Sequence, residues 1–309
     1  MNIVICAIAK LENNYIYDWA KYHLDIGVNH IFIYDNNEID GERIEDVFRD
    51  TALENRVTVL NARGQKKAQL KVYNAFYHTF DFDWCAFIDI DEFITFNPSA
   101  NIQSINDFLS NLHNCDAVAL NWLCYGDNGL VHFENESVPK RFLKPIKPLD
   151  FVASQVNGTP ENYHIKSIIK KGLDIDWDED HSPFKNPHVP SRITRIVNAK
   201  GESLSELPWQ VSDYSVAFIR HYITMSIEEY LRKVQRGAAD SNSAGRYNVS
   251  RFFRYNRITL KKLLVIKKSM GTVALYNIVV ERFKWLSISN NWPSAFLFKS
   301  HHRSLNKRK

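Results

Sequence analysis

Apolar and polar residues alternate in blocks along the first hundred positions of the chain. Ile3–Ala9, Ile31–Tyr34, Val57–Leu60 and Trp84–Ile88 are short apolar runs typical of buried strands. Stretches with helical spacing of apolar residues lie between them, the longest being Gln65–Thr79. Strands and helices in regular alternation predict an α/β fold with a mostly parallel sheet covered by helices on both faces.

The pattern beyond residue 100 is less regular. A helix around residues 105–112 and the strand Ala117–Trp122 come first. Residues 125–215 are rich in Pro, Asn, Asp and Gly, a composition typical of long loops that carry binding surfaces. Ser226 and Glu229 then form a capping box, which predicts the start of a helix that closes at Arg236-Gly237.

Composition places the chain among ordinary globular proteins. Of its 309 residues 45% are hydrophobic and 24% charged. The N-terminus has the pattern of a buried strand and not of a signal peptide, and no apolar run reaches the roughly 20 residues that cross a bilayer. The four cysteines form no C-x-x-C pair, which argues against a zinc site and a disulfide framework. We therefore predict a reducing, cytoplasmic location.

Basic residues are concentrated at the C-terminal end. Residues 246–309 contain 15 Lys and Arg against one acid, a net charge of +14, whereas the remainder carries 24 basic and 34 acidic residues, a net charge of −10. Aromatic residues are interleaved with this charge, as in Arg251–Tyr255. Such a segment can lie on anionic lipid, cover phosphate-bearing sugar chains, bind nucleic acid, or be a merely solvated helical flank.

An acidic cluster follows the fourth predicted strand. Asp89, Asp91 and Glu92 come directly after an apolar run, so their mutual repulsion must be offset by a cation or by hydrogen-bond donors. Hard oxygen ligands of this kind suit Mg²⁺ or Mn²⁺ bridging a diphosphate. Ligands bind at the carboxyl ends of strands in parallel sheets, which is where the cluster lies. A turn with solvated acids is the alternative.

An ordered series of short motifs runs through the first 240 residues. Its members are Lys10–Asn13, Trp19–His23, Gly27-Val28, Ile33–Asn36, Gln69, Trp84–Phe93, Trp122, Gly126, Gly129, Lys166, His181, Arg220–Tyr222, Ser226, Glu229, Lys233 and Gly237. The series resembles bacterial relatives of glycosyltransferase families 2 and 92. The resemblance implies a GT-A fold, Rossmann-like, followed by a basic, helix-rich C-terminal segment.

The same resemblance implies a domain organisation in which different parts of the chain bind different substrates. Residues 1–245 would form the GT-A domain, with a nucleotide-sugar half over 1–100 and an acceptor half over 101–245. The extension would then cover residues 246–309. The donor in such enzymes is commonly a UDP-hexose.

Donor-site residues can be transferred from the family to this chain position by position. The resemblance implies that Glu12 after the first strand and Asp35, with Asn36, after the second contact the base and ribose. An ordinary residue at a helix start is the alternative for Glu12. Asp89 would face the ribose or the metal, and Asp91 would ligate the metal. Polar groups that can reach the ribose or phosphates are Arg63, Lys67 and Gln69, with a solvated helix start as the alternative for the first two.

Two histidines are candidates for a further metal ligand, which GT-A enzymes often take from well downstream. His181 lies in a predicted loop after the strand-like segment 164–169, and His221 ends the apolar run Val216–Ile219. Either is an ordinary structural histidine in the alternative interpretation. We favour His181.

Transfer with inversion needs a base near the anomeric carbon. Asp127 is the best-placed acid, in Gly126-Asp127-Asn128-Gly129, although relatives often carry a small polar residue there. Asp127 as a turn cap, with Asp178, Glu179 or Asp180 as the base, is the alternative.

The combined prediction is a metal-dependent, inverting hexosyltransferase that uses Mn²⁺ or Mg²⁺. It would move galactose or glucose onto a glycan or lipid-linked saccharide, as in lipopolysaccharide or capsule biosynthesis, at the inner face of the cell membrane, with no nucleic acid as partner. A metal-dependent phosphohydrolase or nuclease and an inactive sugar-binding module are the alternatives.

Overall fold

The computed structural model describes residues 1–146, 161–175, 192–193, 195–204, 212–237 and 248–271. The strands in these ranges join into a single nine-stranded sheet. They are β1 (Ile3–Ala9), β2 (His30–Asp35), β3 (Val57–Asn61), β4 (Trp84–Phe87), β5 (Glu92–Phe96), β6 (Ala117–Cys124), β7 (Ile165–Lys170), β8 (Ile196–Asn198) and β9 (Ala217–His221).

Helices cover the faces of the sheet, and the last three of them follow its last strand along the chain. Those in the described ranges are α1 (Asn13–Asp25), α2 (Glu45–Phe48), α3 (Ala68–Thr79), α4 (Ile105–Ser110), α5 (Val138–Arg141), α6 (Ile227–Arg236), α7 (Val249–Tyr255) and α8, residues 260–271.

The sheet runs in the order β3-β2-β1-β4-β7-β6-β9-β5, and β8 pairs with β6 off this path. Neighbours among the first four strands are parallel, and five of the eight pairings across the described sheet are parallel. The predicted α/β fold with a mostly parallel sheet and flanking helices is confirmed. The carboxyl ends of β1, β2 and β4 consequently meet at one edge, where Glu12, Asp35 and Asp89 follow.

The core lies on both faces of the sheet. Helices α1 and α4 pack Trp19 and Phe108 against one face, and α3 packs Tyr73 and Phe76 against the other, all four side chains being buried. Because successive strand residues point to opposite faces, β1 is apolar throughout and supplies both cores.

Two boundaries differ from the sequence-based prediction. Helix α3 begins at Ala68 and not at Gln65, since Lys67 adopts a left-handed backbone with φ of 51° that a continuing helix excludes. Glu92 opens β5, a strand that the sequence did not predict, and β5 pairs antiparallel with β9. The acidic motif is therefore the corner between two strands.

The C-terminal helices pack onto α6. Phe252 and Phe253 of α7 and Ile266 of α8 are buried in one apolar cluster with Ile227 and Tyr230. Because Phe252 and Phe253 are buried in this cluster, their side chains are not available to contact anionic lipid, and contact of the rest of the basic segment with lipid remains a prediction. The boundary between residues 245 and 246 remains a prediction. No helix in the described ranges has the length and apolar character needed to span a bilayer.

Candidate active site

The carboxylate of Asp89 stands at the end of β4 between two neighbouring elements. Lys166 of β7 places its Nζ 2.8 Å from Asp89 Oδ2, and Gln69 of α3 donates from Nε2 to Asp89 Oδ1 at 3.3 Å. Lys166 is 1% exposed, and Gln69 is also buried. Donors of the protein itself thus offset part of the repulsion that the sequence predicts here.

Glu92, the third acid of the cluster, faces inward. Its Oε2 accepts from the backbone N–H of Asp89 at 3.0 Å and lies 3.1 Å from Lys166 Nζ. Burial raises the pKa of Glu92 to about 7 against the opposing effect of Lys166. The Glu92 carboxyl therefore stabilises the corner after β4 and is too buried to contact a ligand.

Asp91 faces a lysine and a histidine. Lys233 of α6 donates from Nζ to Asp91 Oδ2 at 2.6 Å, and His221 Nε2 lies 3.8 Å from the same oxygen. Burial acts to raise the pKa of Asp91, but Lys233 and His221 outweigh it and hold this pKa well below its usual range. Asp91 is therefore a stable anion at neutral pH.

His221 is the histidine that the described structure places beside the acidic motif. Its ring lies 4.2 Å from the Trp122 ring, centroid to centroid, and its Nδ1 is buried and has no hydrogen-bond partner among the described residues. His181, the histidine favoured from sequence, lies outside the described residues, as do Asp178, Glu179 and Asp180.

The Asp91 and His221 donor set is chemically suited to Mn²⁺ or Mg²⁺, since it combines a carboxylate with an imidazole. Within the described ranges, no group of three or more His, Cys, Asp or Glu side chains is arranged to hold a metal ion. These two residues fit a cation only as a partial ligand set, which a ligand such as a diphosphate would complete.

Glu12 follows β1 and is buried under the last turn of α6. Arg236 forms an ion pair with its carboxylate and also donates to the backbone carbonyl of Lys10 at 2.6 Å. Burial raises the pKa of Glu12, and Arg236 and Lys233 oppose that rise. The structure thus brings Glu12 and Asp91 together through two cations of one helix.

The polar side chains at the end of β2 form hydrogen bonds with the protein's own loops. Asp35 accepts from Arg63 Nη1 at 2.6 Å and from the backbone N–H of Asn37 at 2.9 Å. Asn36 donates to the carbonyls of Ala62 and Gln65 at 2.7 and 2.9 Å. These contacts give Asp35, Asn36 and Arg63 a loop-holding role, and a direct contact with base or ribose remains a prediction for them.

Asp127 is held in a turn. Its Oδ1 accepts from the backbone N–H of Gly129 at 2.9 Å, and its other oxygen forms an ion pair with Lys262 of α8. The Asp127 N–H donates to the side chain of Asn256 at 2.6 Å. Both carboxylate oxygens are engaged, a geometry that favours the turn-capping alternative, and the identity of the base remains a prediction.

Helix α1 fixes the strand that follows the motif. Trp19 Nε1 donates to the carbonyl of Glu92 at 2.8 Å, and the backbone N–H of Ile94 donates to His23 Nε2 at 3.2 Å. His23 Nε2 is therefore an acceptor, so its proton is on Nδ1, which donates to the Trp19 carbonyl at 2.8 Å. These hydrogen bonds hold β5, and with it the acidic corner, against α1.

Sequence reasoning missed the cations that pair with the predicted acids. From the sequence, Lys166 and Lys233 match the family motifs but have no predicted role, and Arg236 marks only the end of a helix. A signal was present in α6, because Lys233 follows Tyr230 by three positions and so shares the inward face of an otherwise apolar stripe.

Comparisons with known proteins agree with the motif series. The glycosyltransferase family 92 model matches residues 2–249. A family 92 protein of Ricinus communis is 25% identical over 181 residues, 52% of this chain and 31% of that protein. Another, of Oryza sativa subsp. japonica, is 30% identical over 106 residues, 34% of this chain and 18% of that protein. The chain thus spans less than a third of the length of these curated relatives.

Among solved structures, two crystal structures of S. aureus TarS 1-349 are similar to this chain. One of them is 12% identical to this chain, and the match covers 91% of this chain and 82% of that chain with a TM-score of 0.39. The other, in complex with UDP, is 13% identical, with the same coverage and a TM-score of 0.39. The match of the family model over most of the length is what decides the assignment: this chain belongs to glycosyltransferase family 92.

Proposed function

We propose that the chain transfers a hexose, galactose or glucose, from a UDP-linked donor to a glycan or lipid-linked saccharide. The observation that carries the proposal is the convergence of Asp91, His221 and Lys233 at the carboxyl end of β4. Carboxylate, imidazole and ammonium groups together can hold a divalent cation and an anionic diphosphate. Family membership supports the reaction class.

In this proposal Asp91 and His221 would hold Mn²⁺ or Mg²⁺. The metal, when bound, neutralises the charge that develops on the departing diphosphate. The buried Lys166 keeps Asp89 in place, and Trp19 and His23 keep the backbone of β5 in place. Inversion at the anomeric carbon and the base that would take the acceptor's proton belong to the proposal as well.

A thermal-shift and calorimetric screen of nucleotides with and without Mn²⁺ tests the donor. A ligand that binds only the folded protein raises its stability, so UDP with Mn²⁺ should protect more than UDP alone and more than GDP with Mn²⁺. Glu12→Ala should reduce this preference if Glu12 lines the base and ribose pocket. Equal protection by UDP and GDP would contradict the donor assignment.

Release of hexose from the UDP-linked donor, measured with and without saccharide acceptors, separates an enzyme from an inactive sugar-binding module. A protein that binds the donor with Mn²⁺ but neither hydrolyses nor transfers it would overturn the proposed activity while leaving the binding site intact.

We also propose that α8 meets an anionic membrane surface. Its outer side exposes Leu260 and Leu264, and the flanking Lys261, Lys267 and Lys268 are exposed too. Apolar side chains ringed by lysines suit the headgroup boundary of anionic lipid. This face replaces the Phe252 and Phe253 side chains as the proposed membrane contact and suits a lipid-linked acceptor.

A further inference from the structure

Three acids of the proposed donor site are each paired with a cation from the protein itself. Asp89 pairs with Lys166, Asp91 with Lys233, and Glu12 with Arg236. A divalent metal and an anionic nucleotide must therefore compete with ion pairs that are already formed.

The competition is most direct at Asp91. Lys233 Nζ lies 2.6 Å from Oδ2, which is also the Asp91 oxygen nearest to His221 Nε2. An ammonium and a metal ion cannot occupy the same side of one carboxylate oxygen. We propose that Lys233 exchanges partners: it neutralises Asp91 in the empty site and binds the donor diphosphate when a metal takes its place. This inference rests on the proposed function.

The fold allows the side chain to move while the helix stays in place. The first turn of α6 is fixed by the capping box of Ser226 and Glu229 and by the buried ion pair of Glu229 with Arg141. Lys233 lies in the last turn, and its ammonium sits on a flexible four-carbon stem with three donors. Rotation about this stem can carry the charge from a carboxylate to a nearby phosphate.

Charge pairing determines the thermodynamics of the exchange. A metal that binds alone displaces Lys233 and separates this buried ammonium from the Asp91 carboxylate. A diphosphate that binds alone draws Lys233 away and leaves Asp91 without its cation. When both bind, every charge has a counter-charge. Each ligand must therefore tighten binding of the other by the same factor, about 10- to 100-fold in the range usual for coupled sites.

Calorimetric titration of the full chain with Mn²⁺, UDP and UMP, separately and in pairs, tests the proposal through Lys233→Met. Loss of the ammonium should tighten binding of Mn²⁺ alone, because its competitor is gone. It should weaken UDP binding, lower the ratio of UDP to UMP affinity, and reduce the coupling between Mn²⁺ and UDP several-fold. Binding is the readout, so catalytic turnover is not required.

Two variants complete the design. Arg232→Met removes an exposed cation from the same helix and should leave all three affinities unchanged. Lys233→Arg retains the charge and should retain most of the coupling. Urea unfolding of each variant verifies the fold.

The outcomes separate this inference from the proposed function. A wild-type protein that binds neither Mn²⁺ nor UDP would overturn both. A wild-type protein that binds both ligands, with Lys233→Met weakening the two equally or leaving Mn²⁺ affinity unchanged, would overturn the exchange alone and make Lys233 a structural residue.

Discussion

Among the ion pairs that α6 forms, one in its first turn and one in its last invite comparison. At the first turn Arg141 meets Glu229 through two parallel hydrogen bonds of 2.9 and 3.0 Å, and the two side chains are 0% and 1% exposed. At the last turn Lys233 meets Asp91 through one contact, with side chains 6% and 15% exposed. The charges are the same in kind, but the surroundings differ.

The difference lies in what each charge would meet on leaving its partner. The centroids of the Phe133 and Phe142 rings lie 5.5 and 4.8 Å from the Arg141 guanidinium, and Arg141 Nε donates to the Glu136 carbonyl, so a separated Arg141 would remain enclosed by protein groups without a second carboxylate among these contacts. Lys233 and Asp91 border the proposed donor site, where a bound ligand would replace the partner. Burial and two parallel hydrogen bonds hold the first pair together, whereas the single contact and greater exposure of the second are compatible with the proposed exchange of partners.

The largest expected effect comes from breaking the pair in the first turn of α6. Arg141→Met leaves Glu229 as an uncompensated buried carboxylate and should lower the free energy of unfolding by about 3–5 kcal/mol, the usual cost for such pairs. Urea unfolding measures it. Arg232→Met, which removes a half-exposed ion pair of the same helix, should cost less than about 1 kcal/mol. Equal costs for the two variants would contradict the comparison.

Breaking the pair in the last turn of α6 from the acidic side should affect binding more than stability. Asp91→Asn removes the anionic ligand of the proposed cation and should weaken Mn²⁺-dependent UDP binding by at least about 100-fold, in line with loss of a ligand or its support. Calorimetry checks the binding, and Asp25→Asn, an exposed acid at the end of α1, is the control. Near-normal turnover of Asp91→Asn with Mn²⁺ would refute the metal assignment.

The pH at which the two pairs are compared matters because of His23. Burial lowers the pKa of His23 to about 3, whereas the unfolded chain has the ordinary value of about 6.5. Below about pH 6.5 the His23 imidazole is protonated in the unfolded chain but stays neutral in the folded protein. The free energy of unfolding therefore falls as the pH falls. The loss should reach about 2–3 kcal/mol at about pH 4.5.

His23→Gln isolates this contribution, since glutamine retains a donor and an acceptor but does not titrate. The difference in unfolding free energy between about pH 7 and about pH 4.5 should be smaller in the variant by that amount. An unchanged pH dependence would show that His23 is not the source.

The smallest effect is expected at the surface of α8. Lys267→Glu with Lys268→Glu should weaken binding to vesicles containing anionic lipid, at about 1 kcal/mol for each cation removed from the surface. Higher salt should weaken wild-type binding in the same direction. Transfer to a soluble acceptor should be unaffected. Vesicle binding that persists in the double variant would place the membrane contact elsewhere, residues 272–309 included.

Periodicity predicted most of the sheet because its strands are short apolar runs between helices. Ile3–Ala9 has the predicted bounds, and the capping box at Ser226 is present as predicted. The strand β5 was missed because the acidic motif before it suggests a loop, and only its pairing with β9, far along the chain, makes residues 92–96 a strand. Non-local pairing of this kind leaves no signal in a single sequence.

The site was predictable in its acids but not in their partners. A run such as Asp89-Ile90-Asp91 is recognisable in the sequence. The lysines that pair with it come from β7 and α6, 77 and 142 residues away. Lys262 shows the same limit. In the sequence it is one of many cations of the basic segment 246–309, but it is buried against Asp127, so reversing its charge should disturb the turn after β6.

The Asn256 side chain, which receives the Asp127 N–H, has a consequence for how the protein is made. It lies 129 residues after the turn that it completes, and it also donates to Thr224 at 3.0 Å. During synthesis the turn after β6 must wait until Asn256 has left the ribosome, long after the strands around it. A fragment ending at residue 249, where the family likeness stops, would emerge with this turn unsupported, so we expect the shortest independently folding form to extend beyond residue 262.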